Sequence, residues 1–360
     1  MTETIRLATR GSDLAIRQAQ RVSDALGTRR REIELIEVQT TGDAVRDELI
    51  HRLGTTGAFV RSLDEKVLSG DVDAAVHSMK DMPTEFPSDL VVAGIPERAA
   101  PGDVLLTPDG TDVFALPRGS TIGTSSLRRK AQLLAARPDL QVEPLRGNVD
   151  TRVQKLLTPS LQAEHERRLE VAEENGEDDG DGGNEDAYDR SPDEWFDGLA
   201  EFERRALGRD VETEFDGIVL AEAGLDRIGL LDAVEYSRLP NPFVSAPGQG
   251  ALAVTARDGD LASTIRDVLD HPRTRVETTV ERTILGTLGG GCVAPIGIYA
   301  IVQGAFVQTR VRVLSQDGTE EIDMARDLPI ENHPEAAVEF ADELASEGAA
   351  DLIERARRDG

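Results

Sequence analysis

Three stretches of the 360-residue chain combine side chains able to do chemistry. The first holds the single cysteine, in Gly289-Gly290-Gly291-Cys292-Val293-Ala294-Pro295-Ile296-Gly297. A lone buried thiol usually packs on an apolar face like a small hydrophobe. Three glycines before it and a proline three residues after it describe instead a sharply turning loop with room beside the sulfur. Such a thiol can attack an electrophile or carry a group covalently, and the segment read alone fits an inert cysteine at a turn equally well. The second stretch, His77-Ser78-Met79-Lys80-Asp81-Met82-Pro83, sets a hydroxyl, a cation and a carboxylate side by side. Lysine occurs only at Lys66, Lys80, Lys130 and Lys155, against 36 arginines, so Lys80 reads as a cation with a task. Asp81 beside it suits general acid–base work or stabilisation of a cation, a solvated loop being the plain alternative. The third is a set of arginines: Arg10, the pair Arg128-Arg129 after Gly123-Thr124-Ser125-Ser126, and Arg146 and Arg152 around Gly147-Asn148. Arginines in the first turn of a helix oppose its dipole. There, with free N–H groups and neighbouring hydroxyls, they point to a bound carboxylate or other anion rather than to surface decoration.

The elements that must position these residues alternate. Residues 5–8 read as a strand, followed by an amphipathic helix N-capped by Ser12. Strands are expected at 33–38, 74–76 and 90–95, and a helix at 59–68. The pattern restarts after Pro101-Gly102, with strands at 104–106 and 121–123, a helix from Ser126 to Pro138, and another through Leu157. A strand at 215–221 and a short helix follow. This is the pattern of mostly parallel sheets covered by helices, whose ligands bind at strand ends. A Pro/Gly loop at 240–250 leads to a strand at 251–256, a helix at 261–269, a helix at 278–288 and two strands joined at Gly304. A long helical pattern closes the chain from 334 to 358. Between about 158 and 212 the character changes. From Glu173 to Glu194 there are eleven acidic residues and one basic one, which reads as a disordered or salt-solvated insertion with helices possible on its flanks.

Composition narrows the function classes. The formal net charge of −28 repels phosphate backbones, so no nucleic-acid partner is expected. An acidic, lysine-poor surface resembles the proteins of salt-loving archaea, in which salt screens self-repulsion. The chain has no signal-peptide pattern and no apolar run of membrane-spanning length, which with one cysteine predicts a cytoplasmic protein without a membrane partner. The five histidines make no ligand spacing, so no metal is expected. Walker and dinucleotide-binding glycine motifs are absent.

Together these motifs resemble the porphobilinogen deaminase (hydroxymethylbilane synthase) family over nearly the full length. Ala8-Thr9-Arg10-Gly11-Ser12, Ala75-Val76-His77-Ser78-Met79-Lys80-Asp81, Gly123-Thr124-Ser125-Ser126-Leu127-Arg128-Arg129, Leu145-Arg146-Gly147-Asn148, Ala223-Gly224-Leu225-Asp226-Arg227, Pro247-Gly248-Gln249-Gly250 and Gly290-Gly291-Cys292 stand in the family's order. The resemblance implies an α/β fold of two lobes like a type II periplasmic binding protein, plus a small C-terminal α/β domain. The expected division is 1–98 with 241–270, then 99–240, then 271–360. It implies head-to-tail condensation of four porphobilinogen molecules with loss of ammonia, on one dipyrromethane per chain held by a thioether to Cys292. Asp81 would be catalytic, stabilising the azafulvenium cation left by ammonia. Lys80, Ser78, Thr124, Ser126, Arg128, Arg129 and Gly147 would hold the cofactor. Arg10, Ser12, Gln18, Arg146, Arg152, Arg227 and Gln249 would hold substrate carboxylates. A monomer is expected. Thr56 stands where the family often has a lysine, Gly289 where it usually has a glutamate, and the acidic insertion has no counterpart. A non-catalytic bilobal anion-binding protein is the competing reading; it explains the arginines but neither Cys292 nor Asp81.

Overall fold

The computed structural model describes residues 3–38, 58–177, 188–289 and 294–358. Strand β1 (Glu3–Arg10) leads into helix α1 (Asp13–Leu26), which starts where the sequence predicts: Ser12 Oγ accepts the Ala15 amide at 3.3 Å. Strand β2 (Arg31–Val38), helix α2 (Ala58–Ser69), strand β3 (Ala74–Ser78) and strand β4 (Leu90–Gly94) follow. They form a five-stranded sheet with β10 (Leu252–Arg257), in the order β2-β1-β3-β10-β4.

The second sheet, β7-β6-β8-β5-β9, is drawn from one continuous stretch: β5 (Asp103–Leu106), β6 (Thr121–Gly123), β7 (Gln141–Glu143), β8 (Gly217–Ala221) and β9 (Tyr236–Arg238). Its helices are α3 (Leu127–Ala136), α4 (Val149–Glu177), α5 (Pro192–Gly198), α6 (Glu201–Leu207) and α7 (Glu222–Ile228). After β10 come α8 (Asp260–Leu269) and α9 (Pro272–Thr287). A three-stranded antiparallel sheet, β11 (Ile296–Gln303), β12 (Phe306–Leu314) and β13 (Glu321–Pro329), is backed by α10 (His333–Ser346) and α11 (Ala349–Arg358). The fold is therefore two mixed five-stranded α/β lobes and a small C-terminal α/β domain.

Several expectations are corrected. The sheets are mixed rather than mostly parallel: β10 runs antiparallel to both β3 and β4, and β5 antiparallel to both β8 and β9. The cause is topological, because β5 and β10 follow the two crossings between lobes and enter their sheets from the opposite end. The helix expected to stop at Leu157 continues through Pro159 to Glu177. Thr158 Oγ1 there donates to Gln154 O at 2.7 Å and to Ala206 O at 3.0 Å, fastening α4 to α6 where the proline removes a backbone donor. The closing helical pattern is two helices, separated at Gly348 with φ of 100°. Strand β13 has no counterpart in the sequence reading. Of the acidic insertion, residues 178–187 lie outside the described residues, while its flanks are helical.

Candidate functional site

The site is built from strand ends, as the packing of an α/β lobe requires. Strand β3 ends at Ser78 and passes directly into a single 3₁₀ turn, Met79–Asp81. Met79 is buried and anchors that turn, with its amide donating to Ala251 O at 3.1 Å. Lys80 and Ser78 are half-buried, and Asp81 is exposed at the end of the turn. The return crossing presses on the same turn. Gly248 has φ of 72°, and a Cβ there would stand 2.9 Å from Met79 Cγ and 3.2 Å from the Lys80 amide. His77 faces the other way: its Nε2 lies 3.0 Å from both Asp64 Oδ1 and Thr255 Oγ1, tying α2 to β10 inside the lobe. That histidine is structural, and no sequence spacing links residues 64, 77 and 255.

The second lobe contributes two helix starts. Thr124 is buried, with its hydroxyl accepting the Ser126 amide at 3.2 Å, and Ser126 Oγ in turn accepts the Arg129 amide at 3.4 Å. The anion implied by Arg128-Arg129 is in part an internal one, Asp103, which the sequence reading did not single out. Asp103 Oδ2 lies 2.7 Å from Arg128 Nη2, and Oδ1 accepts Arg129 Nη2 at 2.7 Å and Gln249 Nε2 at 2.9 Å. Burial alone would raise the Asp103 carboxyl, but the two guanidiniums and the hydrogen bonds from Arg129 and Gln249 outweigh it and hold the carboxyl far below the usual range. Arg128 also donates to Val244 O at 2.7 Å, and burial lowers its guanidinium despite Asp103. Gln249 is buried and donates to Pro101 O at 2.6 Å, so this cluster joins both crossings between the lobes.

At the second helix start, Gly147 has φ of 113° and Arg152 Nε donates to Gly147 O at 2.8 Å. Burial first, and then Arg129, lowers the Arg152 guanidinium to about 10. Arg146 is half-buried on the same loop. The lobes meet electrostatically at Lys80: burial depresses its ammonium, Arg129 and Arg152 depress it further, and Asp81 and Asp103 pull the other way. Lys80 thus shares its surroundings with Asp81, Arg129, Asp103 and Arg152, of which Arg129 and Asp103 are buried.

The remaining predicted residues sit around it. Arg10 ends β1, Ser12 caps α1, and Gln18 is buried on α1. Arg227 on α7 donates to Gly250 O at 2.6 Å, its Nε is buried without a hydrogen-bond partner, and burial together with Arg21 lowers it to about 10 against Asp226. Cys292 and Thr56 lie outside the described residues, whereas Gly289 follows α9 with φ of 63°. Sequence reasoning also missed Glu281, which is fully buried on α9. Its carboxylate binds Arg98 Nη1 at 2.8 Å and accepts the amides of Gly248 at 2.6 Å and Ala300 at 2.9 Å, so one side chain ties the first lobe, the return crossing and the C-terminal sheet.

Two family models match the chain. A family model described as "Porphobilinogen deaminase, dipyromethane cofactor binding domain" matches residues 5–164 and 204–264. A second, "Porphobilinogen deaminase, C-terminal domain", matches 276–347. The gap at 165–203 falls within the acidic insertion. A relative from Halobacterium salinarum, "Probable porphobilinogen deaminase", is 52% identical over an alignment of 391 residues covering 99% of each chain. One of the same name from Methanococcoides burtonii is 37% identical, over 97% of this chain and 96% of that one. "Porphobilinogen deaminase" from Campylobacter hominis is 32% identical over 98% of both.

Proposed function

The chain belongs to the porphobilinogen deaminase family, and on that premise we propose how its own residues divide the work. It is a transferase of tetrapyrrole biosynthesis that joins four porphobilinogen molecules head to tail with release of ammonia, on a dipyrromethane cofactor. The cations fit such a group. Each pyrrole unit brings carboxylates, and the Lys80 turn, the Arg128–Arg129 helix start and Arg152 offer positive charge at the strand and helix ends. When bound, the dipyrromethane supplies the pyrrole carbon to which the first substrate is joined.

Cys292 anchors the cofactor through its sulfur. Lys80, Ser78, Arg128, Arg129 and the Thr124–Ser126 helix start hold its carboxylates, with Gly147 keeping the adjoining loop open. Arg10, Ser12, Gln18, Arg146, Arg152, Arg227 and Gln249 hold or frame the incoming substrate's acetate and propionate, because bidentate guanidinium–carboxylate pairing fixes orientation as well as affinity. Asp81 stands beside Lys80 at the exposed end of the 3₁₀ turn. It stabilises the positive charge that develops as the amine departs and relays the proton that the departing nitrogen takes. The Arg128–Arg129 pair gathered with Asp103 and Gln249 at the two crossings is the observation that carries this reading. We further take the chain to divide at 1–98 with 241–270, 99–240 and 271–360, and to act as a cytoplasmic monomer without nucleic acid; the charge of −28 supports the last point.

The test is intact mass of purified protein beside its Cys292→Ala variant, with porphobilinogen consumption by wild type and Asp81→Ala. A dipyrromethane mass on the wild type alone, and a loss of at least about tenfold in turnover for Asp81→Ala, are expected. A normal cofactor mass on the alanine variant would remove Cys292 from its role. Asp81→Ala turnover above a tenth of wild type would remove Asp81.

A further inference from the structure

The turn that presents Asp81 is rooted in a buried apolar cluster, Met79 and Met82 with Ile95, Ala251 and Ala253, against which Phe86 and Val92 pack. Towards β3 and the return crossing it is held by the Met79 amide and by Gly248. Towards α9 there is a cavity of about 440 Å³ lined by Met79, Thr84, Val92, Ile95, Thr283 and Gly286, among others. The apolar cluster anchors the Met79 and Met82 side chains, while the Met82 and Pro83 carbonyls are met from α9. Two arginines of α9 span the gap. At its far end Arg275 donates to Asp270 Oδ2 at 2.7 Å and to Val92 O at 3.2 Å, on the neighbouring strand β4. At its near end Arg282 donates to Met82 O at 3.3 Å and to Pro83 O, the first two carbonyls after Asp81. Its guanidinium also stands 5.6 Å from the centre of the Phe86 ring, which stabilises the cation there. A proline at 83 limits the backbone's own hydrogen bonding, since Pro83 brings a carbonyl and no donor.

We propose that Arg282 is a positioning residue for the reaction: from α9 it grips the Met82 and Pro83 carbonyls and so sets where the Asp81 carboxylate stands. The helix that leads to the Cys292 loop is thereby also the helix that fixes the catalytic turn. A loss of position of about 1 Å at a reacting group can cost on the order of 100-fold in rate, which is the scale this grip controls. The inference rests on the deaminase reading and adds a residue that touches neither substrate nor reacting atoms.

The test compares Arg282→Met, Arg282→Lys and Arg275→Met in the full-length holoenzyme. It measures kcat and KM for porphobilinogen and hydrogen exchange of the Met82 amide, which donates to Met79 O at 3.1 Å. Arg282→Met is expected to lower kcat by about 10- to 100-fold with KM within about twofold, and to speed Met82 exchange. Arg282→Lys, which keeps the charge but lacks the fork, should fall between it and wild type. Arg275→Met removes a comparable link to the first lobe away from Asp81 and should leave kcat within about twofold. Equal kcat losses in the two methionine variants would reduce Arg282 to a general fastening and overturn the proposal, as would a wild-type kcat in Arg282→Met. Should Arg282→Met fail to fold, Arg282→Lys decides: wild-type kcat with wild-type Met82 exchange overturns it. A wild-type protein that does not consume porphobilinogen would overturn the deaminase reading, and this proposal with it.

Discussion

Replacing Asp103 by asparagine removes one negative charge from between two buried guanidiniums. The carboxylate and both arginines are each less than a tenth exposed, and three donor groups converge on it at 2.7–2.9 Å. Asparagine keeps one acceptor oxygen but turns an amide N–H₂ towards a cation, so one arginine loses its partner and both lose the charge. Breaking a buried ion pair from one side costs about 3–5 kcal/mol, a large share of the roughly 5–15 kcal/mol by which a domain is stable. The comparison belongs in the Cys292→Ser background, where no thioether can hold cofactor carboxylates against the same arginines. Urea unfolding at molar salt should then show a loss of about 3–5 kcal/mol, since salt screens surface charges and not a buried pair. Adding Arg128→Met to Asp103→Asn should recover at least about 1 kcal/mol, because it removes one uncompensated cation. The pH dependence has a definite sign. A carboxyl depressed in the fold contributes stability that is present above its unfolded value, near 3.9, and is lost as pH falls below it. The asparagine variant should lack that part of the acid limb. A loss under about 1 kcal/mol, or strict additivity of the two substitutions, would refute the view of Asp103 as the counter-ion of this pair.

Gly250→Ala should destabilise by at least about 2 kcal/mol and lower Tm, because a left-handed residue with a side chain is strained and its Cβ would meet the first crossing; that residue has φ of 85° and its Cβ would stand 2.4 Å from Ala99 O. An unchanged Tm would mean that the crossings can part. Tm should also fall between molar and millimolar salt, because a charge of −28 repels itself once unscreened. Equal values at both salts would refute that. Replacing residues 165–203 by a short Gly/Ser loop should leave more than about a tenth of turnover, as surface insertions are commonly tolerated. Complete loss in a folded variant would show that the insertion contributes to the site.

The parts of the site that the sequence announces are those with local signals. Ser12 and Ser126 open helices because a hydroxyl at that position satisfies a free amide, and the Met79–Asp81 turn follows an apolar run with nowhere else to go. The crossings are legible as Pro101-Gly102 and Pro247-Gly248-Gln249-Gly250. What stays hidden depends on distance along the chain. Asp103 is one acid after a glycine, and its partners lie 25, 26 and 146 residues away. Glu281 and Arg98 are separated by 183 residues and sit on elements that periodicity treats independently. Strand direction is hidden for the same reason, since nothing inside residues 252–257 records that the chain has just returned from another lobe. Strand β13 is missed because most of its side chains are exposed and four of the nine are charged, leaving Ile322, Met324 and Leu328 as a thin alternation.

The placement of β10 between β3 and β4 bears on how the chain is made. Everything in the second sheet lies between residues 103 and 238, so a ribosome can release that lobe complete and contiguous. The first sheet cannot close in that order. Until residue 257 has emerged, β3 offers an apolar, unpaired edge and β4 has no neighbour, although both were synthesised more than 150 residues earlier. Birth order and folding order are thus reversed for the two lobes. The nascent first lobe, carrying the turn of Asp81, is the stretch that most needs shielding from other chains while the second folds.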